Sequence, residues 1–127
     1  MNNYSVKIVE SSSQLSPKER IMMKDTSLAE SLDVLTQEGE INIDVKDYVL
    51  LDVHNEKNED NPDYSILMII DKQGDIYKTS SEIFARSFLD IYNEMAAENL
   101  TDEITIRVDR KPSKNYANKE FLKPVLI

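Results

Sequence analysis

Ile41, Ile43 and Val45 alternate with polar residues, and later in the chain Ile104, Ile106 and Val108 do the same. A period of two is the mark of a strand with one buried and one wet face, and it commits the chain to pairing strands. The first strand is predicted to run on through Tyr48, Val49, Leu50 and Leu51, with a bulge near Lys46-Asp47 where the alternation slips. Tyr64 to Asp71, which contains the apolar run SILMII, predicts a second strand. The turn Lys72-Gln73-Gly74 leads into a third, Asp75 to Thr79. Glu103 to Asp109 predicts a fourth, with Thr105, Arg107 and Asp109 on its second face, and Phe121 to Ile127 a fifth. The stretch HNEKNEDNPD, residues 54–63, is a polar loop.

The period changes to that of a helix between the third and fourth strands. Thr79 and Glu82 have capping-box spacing. Phe84, Phe88, Ile91 and Met95 form one stripe, with Ile83 and Tyr92 beside it, and Asn99 is the expected stop. Ahead of the strands, residues 1–15 are polar and Ser-rich and are expected to be loosely held unless a partner docks them. Ser16-Pro17 opens a short helix that continues to Lys24. Leu28, Leu32 and Leu35 predict another helical turn or two before Gly39.

The predicted organisation is therefore a partly helical N-terminal extension over residues 1–38 and a domain over 39–127. The fold class is α+β, mainly β. Five strands with one helix between strands 3 and 4 is the order of an OB-fold, a small partly open barrel. A simpler α+β sheet with one packed helix fits the same order.

At 127 residues the chain supports one compact core. It has no cysteine, so thiolate chemistry and disulfides are excluded. No apolar run approaches the ~20 residues that span a bilayer, and the N-terminus lacks the basic segment and apolar block of a secretory signal. A cytosolic-type protein is expected.

Enzyme chemistry finds little to work with. The single histidine, His54, lies in the polar loop, where a solvated role is the ordinary one. Two glycines, Gly39 and Gly74, cannot build a phosphate-cradling loop, and no G-x-S-x-G occurs. Asp52, Glu56, Glu59, Asp60 and Asp63 offer oxygens, but not in the spacing of a calcium loop. No enzyme activity, no metal and no cofactor are predicted.

Charge is uneven. Residues 1–103 hold 9 Lys or Arg against 22 Asp or Glu, a balance of −13, whereas residues 104–127 hold 6 against 2, a balance of +4. The stretch RKPSKNYANKEFLKP, Arg110 to Pro124, concentrates that excess and interleaves it with aromatics. Arg107, Arg110, Lys111, Lys114, Lys119 and Lys123, with Tyr116 and Phe121 among them and Tyr77-Lys78 on the third strand, form the candidate site. Cations that track phosphates beside flat side chains that stack on bases are what sequence-independent single-strand binding requires. The alternatives are a solvated basic hairpin, with Tyr77 and Phe121 in the core. A different class is an acidic interaction protein that imitates DNA charge, motivated by the balance of residues 1–103.

The run GDIYKTSSEIFARSFLDI, followed by ITIRVDRKPSKNYANKEFLKPVLI and preceded by GEINIDVKDYVLL, resembles the small single-stranded DNA-binding proteins of tailed bacteriophages that replicate by protein priming. The resemblance covers roughly Gly39 to Ile127, and Ser16 to Leu35 has no clear counterpart. It implies a protein that coats displaced single strands during viral DNA replication, protects them and removes their secondary structure, without a cofactor. It places Tyr77 on the family's strand tyrosine and Arg110 to Lys119 on its basic turn. It implies single-stranded DNA as the partner in a bacterial host cytoplasm. Viral replication proteins and further copies of the chain are compatible partners, and no membrane is expected.

Overall fold

The structure, a computed structural model, describes residues 4–112 and 119–127. Its centre is one long strand, β3 (Ile41–Asn55). The first part of β3, Ile41 to Asp44, pairs antiparallel with β6 (Thr105–Pro112), which pairs in turn with β7 (Glu120–Leu126). The rest of β3 pairs with β4 (Asp63–Asp71) along one edge and with β1 (Tyr4–Ser11) along the other. β5 (Ile76–Thr79) continues the sheet from β4, and the two-residue β2 (Glu30–Ser31) lies parallel to it. The order is β2-β5-β4-β3-β6-β7, with β1 on β3, and the sheet curls into a half-barrel. The architecture is α+β and mostly strand.

A bulge at Lys46 absorbs one unpaired residue and keeps β3 in phase with its two cores. The register against β4 shifts between Val45 and Asp47, as the slipped alternation of the sequence predicts. Before the bulge odd-numbered residues point inward; after it even-numbered ones do. Ile43 and Val45 therefore join Tyr48 on the concave face, while Val49 and Leu51 point to the convex one. The concave core is closed by α3 (Glu82–Ala97), whose Phe84, Phe88 and Tyr92 pack on Tyr48, Leu67, Ile69, Ile106, Val108 and Leu122. The Tyr48 ring meets Tyr92 edge-on at 4.9 Å and Phe88 at 5.8 Å between centroids, a favourable aromatic geometry. Burial, followed by the nearby Glu10 carboxylate, pushes the Tyr48 phenol up to about 12.

The convex core gathers Val49, Leu51 and Met68 under Met23 and Ala29, with Val6, Ile8, Leu15, Ile66, Ile70 and Ile76 around them. Its cover is the N-terminal segment. Here the described part of residues 1–15 departs from the sequence expectation of a loosely held segment: β1 is a paired strand, and Ser12 N–H donates to the Tyr48 carbonyl at 3.0 Å. The helix opened by Ser16-Pro17 is present as α1 (Pro17–Lys24), with a reciprocal capping box between Ser16 and Glu19. The Leu28–Leu35 stretch is more broken than its spacing suggests. It forms a 3-10 turn over Thr26–Leu28, then β2, then α2 (Leu32–Leu35) and another turn over Thr36–Glu38. Leu32 is fully buried in the concave core whereas Leu28 is exposed.

The ends of α3 correct one detail and match another. Its cap is Ser81, whose hydroxyl accepts the Phe84 N–H at 3.1 Å; Thr79 instead accepts the Ser81 N–H at 3.1 Å. Asn99 ends the helix in the left-handed conformation, φ 57°. Leu100 N–H reaches back to the Met95 carbonyl at 2.8 Å and Asn99 N–H to that of Ala96 at 3.0 Å, the Schellman arrangement.

Candidate nucleic-acid interface

β6 and β7 present two faces with different fates. In an antiparallel pair, residues directly opposite point the same way. The convex side of this hairpin therefore carries three rows: Asn42 with Arg107 and Val125, Asp109 with Lys123, and Lys111 with Phe121. Ile106, Val108 and Leu122 point to the core on the other side.

Asp109 organises the convex rows. Arg107 Nε donates to Oδ1 at 2.7 Å and Nη2 to Oδ2 at 3.0 Å, a bidentate fork. Lys111 Nζ stands 3.8 Å from Oδ2. The Asp109 carboxyl is held below the usual carboxylate range by the Arg107 hydrogen bonds first, with Lys111 and Lys123 adding to them and partial desolvation opposing. Glu40 lies 3.8 Å from Arg107 on its other side. Arg107, Lys111 and Lys123 against Asp109 and Glu40 leave a surplus of one positive charge. A shallow groove of about 440 Å³ runs beside this cluster, between the Gly39-Glu40 turn and β6. Phe121 is half-buried next to Lys111 and Lys123.

The remaining candidates are not gathered there. Arg110 points to the concave side, where its Nε donates to the Thr36 hydroxyl at 3.0 Å and Nη2 to the Asp33 carbonyl at 2.5 Å. Glu120 lies 3.7 Å away. Since Thr36 is buried and itself donates to the Leu32 carbonyl at 2.7 Å, Arg110 ties β6 to the segment that carries Leu32. Tyr77 lies half-buried against the concave core and its hydroxyl donates to Asp71 at 3.3 Å. Burial, then the Asp71 and Asp75 charges, pushes it up to about 12. Lys78, one residue on, faces the convex side of β5 and donates to the Thr26 carbonyl at 2.8 Å. Lys119 stands just before β7 and is exposed. Lys114 and Tyr116 lie outside the described residues.

Two groups that sequence reasoning left aside have defined surroundings. Asp109 was legible as sharing a face with Arg107, but the alternation says nothing of how tightly the pair closes. His54, read as a loop residue, lies in β3, one residue before its end, with Nδ1 2.6 Å from Asp63 and Nε2 3.5 Å from Glu56. The Asp63 hydrogen bond, helped by Glu56 and opposed by slight desolvation, raises its pKa above the ordinary value. Among the described residues no group of three or more His, Asp or Glu is placed to hold a metal ion, and no helix is long and apolar enough to cross a membrane. Comparison with protein-family models, curated proteins and solved structures finds no match for this chain.

Proposed function

We propose that the protein binds single-stranded DNA without reading its sequence, and that the convex face of β6 and β7 is the contact surface. The observation that carries this reading is the line of Arg107, Lys123 and Lys111 along one accessible face of β6 and β7, with Phe121 beside the two lysines. It combines the two elements that single-strand binding uses, cations for phosphates and a ring for a base. The order β3-β4-β5-α3-β6-β7, with a long first strand shared by both halves of the curl, is consistent with an open OB-like barrel, an architecture widely used for oligonucleotides. The resemblance to the single-stranded DNA-binding proteins of protein-primed phages supports the same reading. It assigns the protein to coating displaced strands during viral replication, a binding role without catalysis or cofactor.

The magnitude of the effect follows from the charge count. Lys111 and Lys123, the two cations of the face that are not forked onto Asp109, give about two phosphate contacts on a single strand and a slope of about −1.4 for log affinity against log salt. Fluorescence anisotropy of a labelled oligo(dT) tests this. Binding that weakens with that slope, and that falls on replacing Lys111 and Lys123 by Ala, is expected. No anisotropy change at low salt overturns the reading.

A second reading is favoured by a specific observation: Arg107, Arg110 and Lys78 all spend their donors inside the molecule. An acidic protein-interaction module of −13 over residues 1–103 needs no free cations. It is supported if the Lys111 and Lys123 replacements leave all measured binding unchanged while a host protein is retained stoichiometrically.

A further inference from the structure

A sheet that does not close leaves edges, and each exposed edge offers unpaired N–H and C=O groups to a further strand. The edges of this sheet are treated differently. β5 carries β2 on its outer side. β7 contains Pro124, which has no N–H to offer, and an exposed Lys123. β1 pairs only with β3 among the described strands, so its other edge presents every second N–H and C=O outward. It contains no proline. Its regular part is Tyr4 to Ile8, since the register against β3 shifts between Ile8 and Glu10.

We propose that this edge is the interface of a two-fold dimer in which Tyr4 to Ile8 of two copies pair antiparallel about Val6. The argument for a second copy, rather than another strand, is self-complementarity. Tyr4, Val6 and Ile8 share the convex face, where Val6 and Ile8 are half-buried at the rim of the convex core and Tyr4 is 51% exposed. Pairing about Val6 sets Tyr4 against Ile8 of the second copy, Val6 against Val6, and Ile8 against Tyr4. The apolar rim of one copy thus continues into the other, with aromatic–β-branched pairs that stabilise antiparallel ladders. On the opposite face Ser5 meets Lys7, so no like charges oppose. Pairing about Lys7 would set Lys7 against Lys7, which is destabilising. An isologous contact of this kind closes at two copies.

Five paired residues make a small contact, so association at the weak end of protein dimers is expected. The chain has no native cysteine, which makes single-cysteine variants unambiguous. Val6→Cys places two thiols across the two-fold axis within disulfide reach, whereas Lys7→Cys places them on a diagonal about 7–8 Å apart, too far to bridge without strain. Under mild oxidation Val6→Cys is expected to convert to a covalent dimer much faster than Lys7→Cys or an exposed control on α3, Glu94→Cys. Equal rates for Val6→Cys and Glu94→Cys, or faster bridging by Lys7→Cys, overturn the proposal. Sedimentation of the unaltered chain supplies the second readout. A concentration-dependent monomer–dimer equilibrium that disappears in Val6→Lys and in Val6→Glu, and returns when those two variants are mixed, supports it. A monomer at every concentration overturns it. Both experiments are done without nucleic acid, so their outcome is separate from that of the DNA-binding assay.

Discussion

Asp109 and Arg110 are neighbours in sequence and face opposite sides of the same strand, and the difference decides what each does. Asp109 holds the convex cations in place; Arg110 holds the N-terminal segment to β6. From sequence, Arg110 is one cation in a basic run. Its partner Thr36 lies 74 positions away, and no local pattern reveals a contact at that distance. Replacing Arg110 by Ala is expected to lower stability by about 1–3 kcal/mol, the range for a lost hydrogen bond to a charged group and a buried partner left short. Urea denaturation measures it. Oligonucleotide affinity should stay close to that of the unaltered chain, whereas Lys111→Ala should show the reverse pattern. Two pH effects belong at this scale as well. The Asp109 carboxyl is depressed, so its contribution is present above the ordinary carboxylate value near 3.8 and is lost as pH falls through the lower folded value. The stability advantage of the unaltered chain over Asp109→Asn should therefore vanish in strong acid. His54 is raised, so its contribution is full below its ordinary value of 6.5 and is lost as pH rises through the folded value. As the only histidine, it gives one imidazole titration by NMR, expected above that value and moved back down in Asp63→Asn.

Among the elements, those with strong periodicity were legible. β3 with its bulge, β4, β5, α3, β6 and β7 all lie where alternation or the helical stripe predicts them, with boundaries shifted by a few residues. β1 was not foreseen, although Val6 and Ile8 do alternate with Ser5 and Lys7. Such a short segment beside a serine run reads as polar tail, because what makes it a strand is the edge of β3, more than forty positions on. β2 and α2 were obscured for a related reason. Leu28, Leu32 and Leu35 have helical spacing, but Leu32 is drawn into the concave core while Ser31 and Glu30 pair with β5. The caps give the element-scale test. Ser81→Ala should cost about 1 kcal/mol, read as a lower urea midpoint, because α3 closes the concave core. The same change at Ser16 should move the global midpoint less, since α1 buries only Met23 and can fray locally.

For the whole molecule, two cores share one strand. Tyr48 belongs to the concave side and Val49 and Leu51 to the convex side, so neither core can be lost without disturbing β3. One cooperative transition is expected. Phe88→Ala, in the first core, should cost about 3–5 kcal/mol, and Met68→Ala, in the second, about 2–5 kcal/mol. Far-UV circular dichroism and tyrosine fluorescence should follow a single curve in both variants. Separate transitions would mean that the N-terminal cover melts by itself.

The bulge at Lys46 also sets a rule about chain length. Lys46 is exposed, and its identity matters little to either core. It is an extra residue with no partner on β4, since Val45 and Asp47 pair with the consecutive Asp71 and Ile70. Removing it would leave Val45, Tyr48 and Leu50 on the concave side and Val49 and Leu51 on the convex one, and would cost the strand only its local bend. A scan of β3 should find position 46 open to almost any amino acid and to its own removal, whereas removing one paired residue after Tyr48 inverts the facing of those beyond it: the strand reads its residues in a frame, and Lys46 stands outside the count.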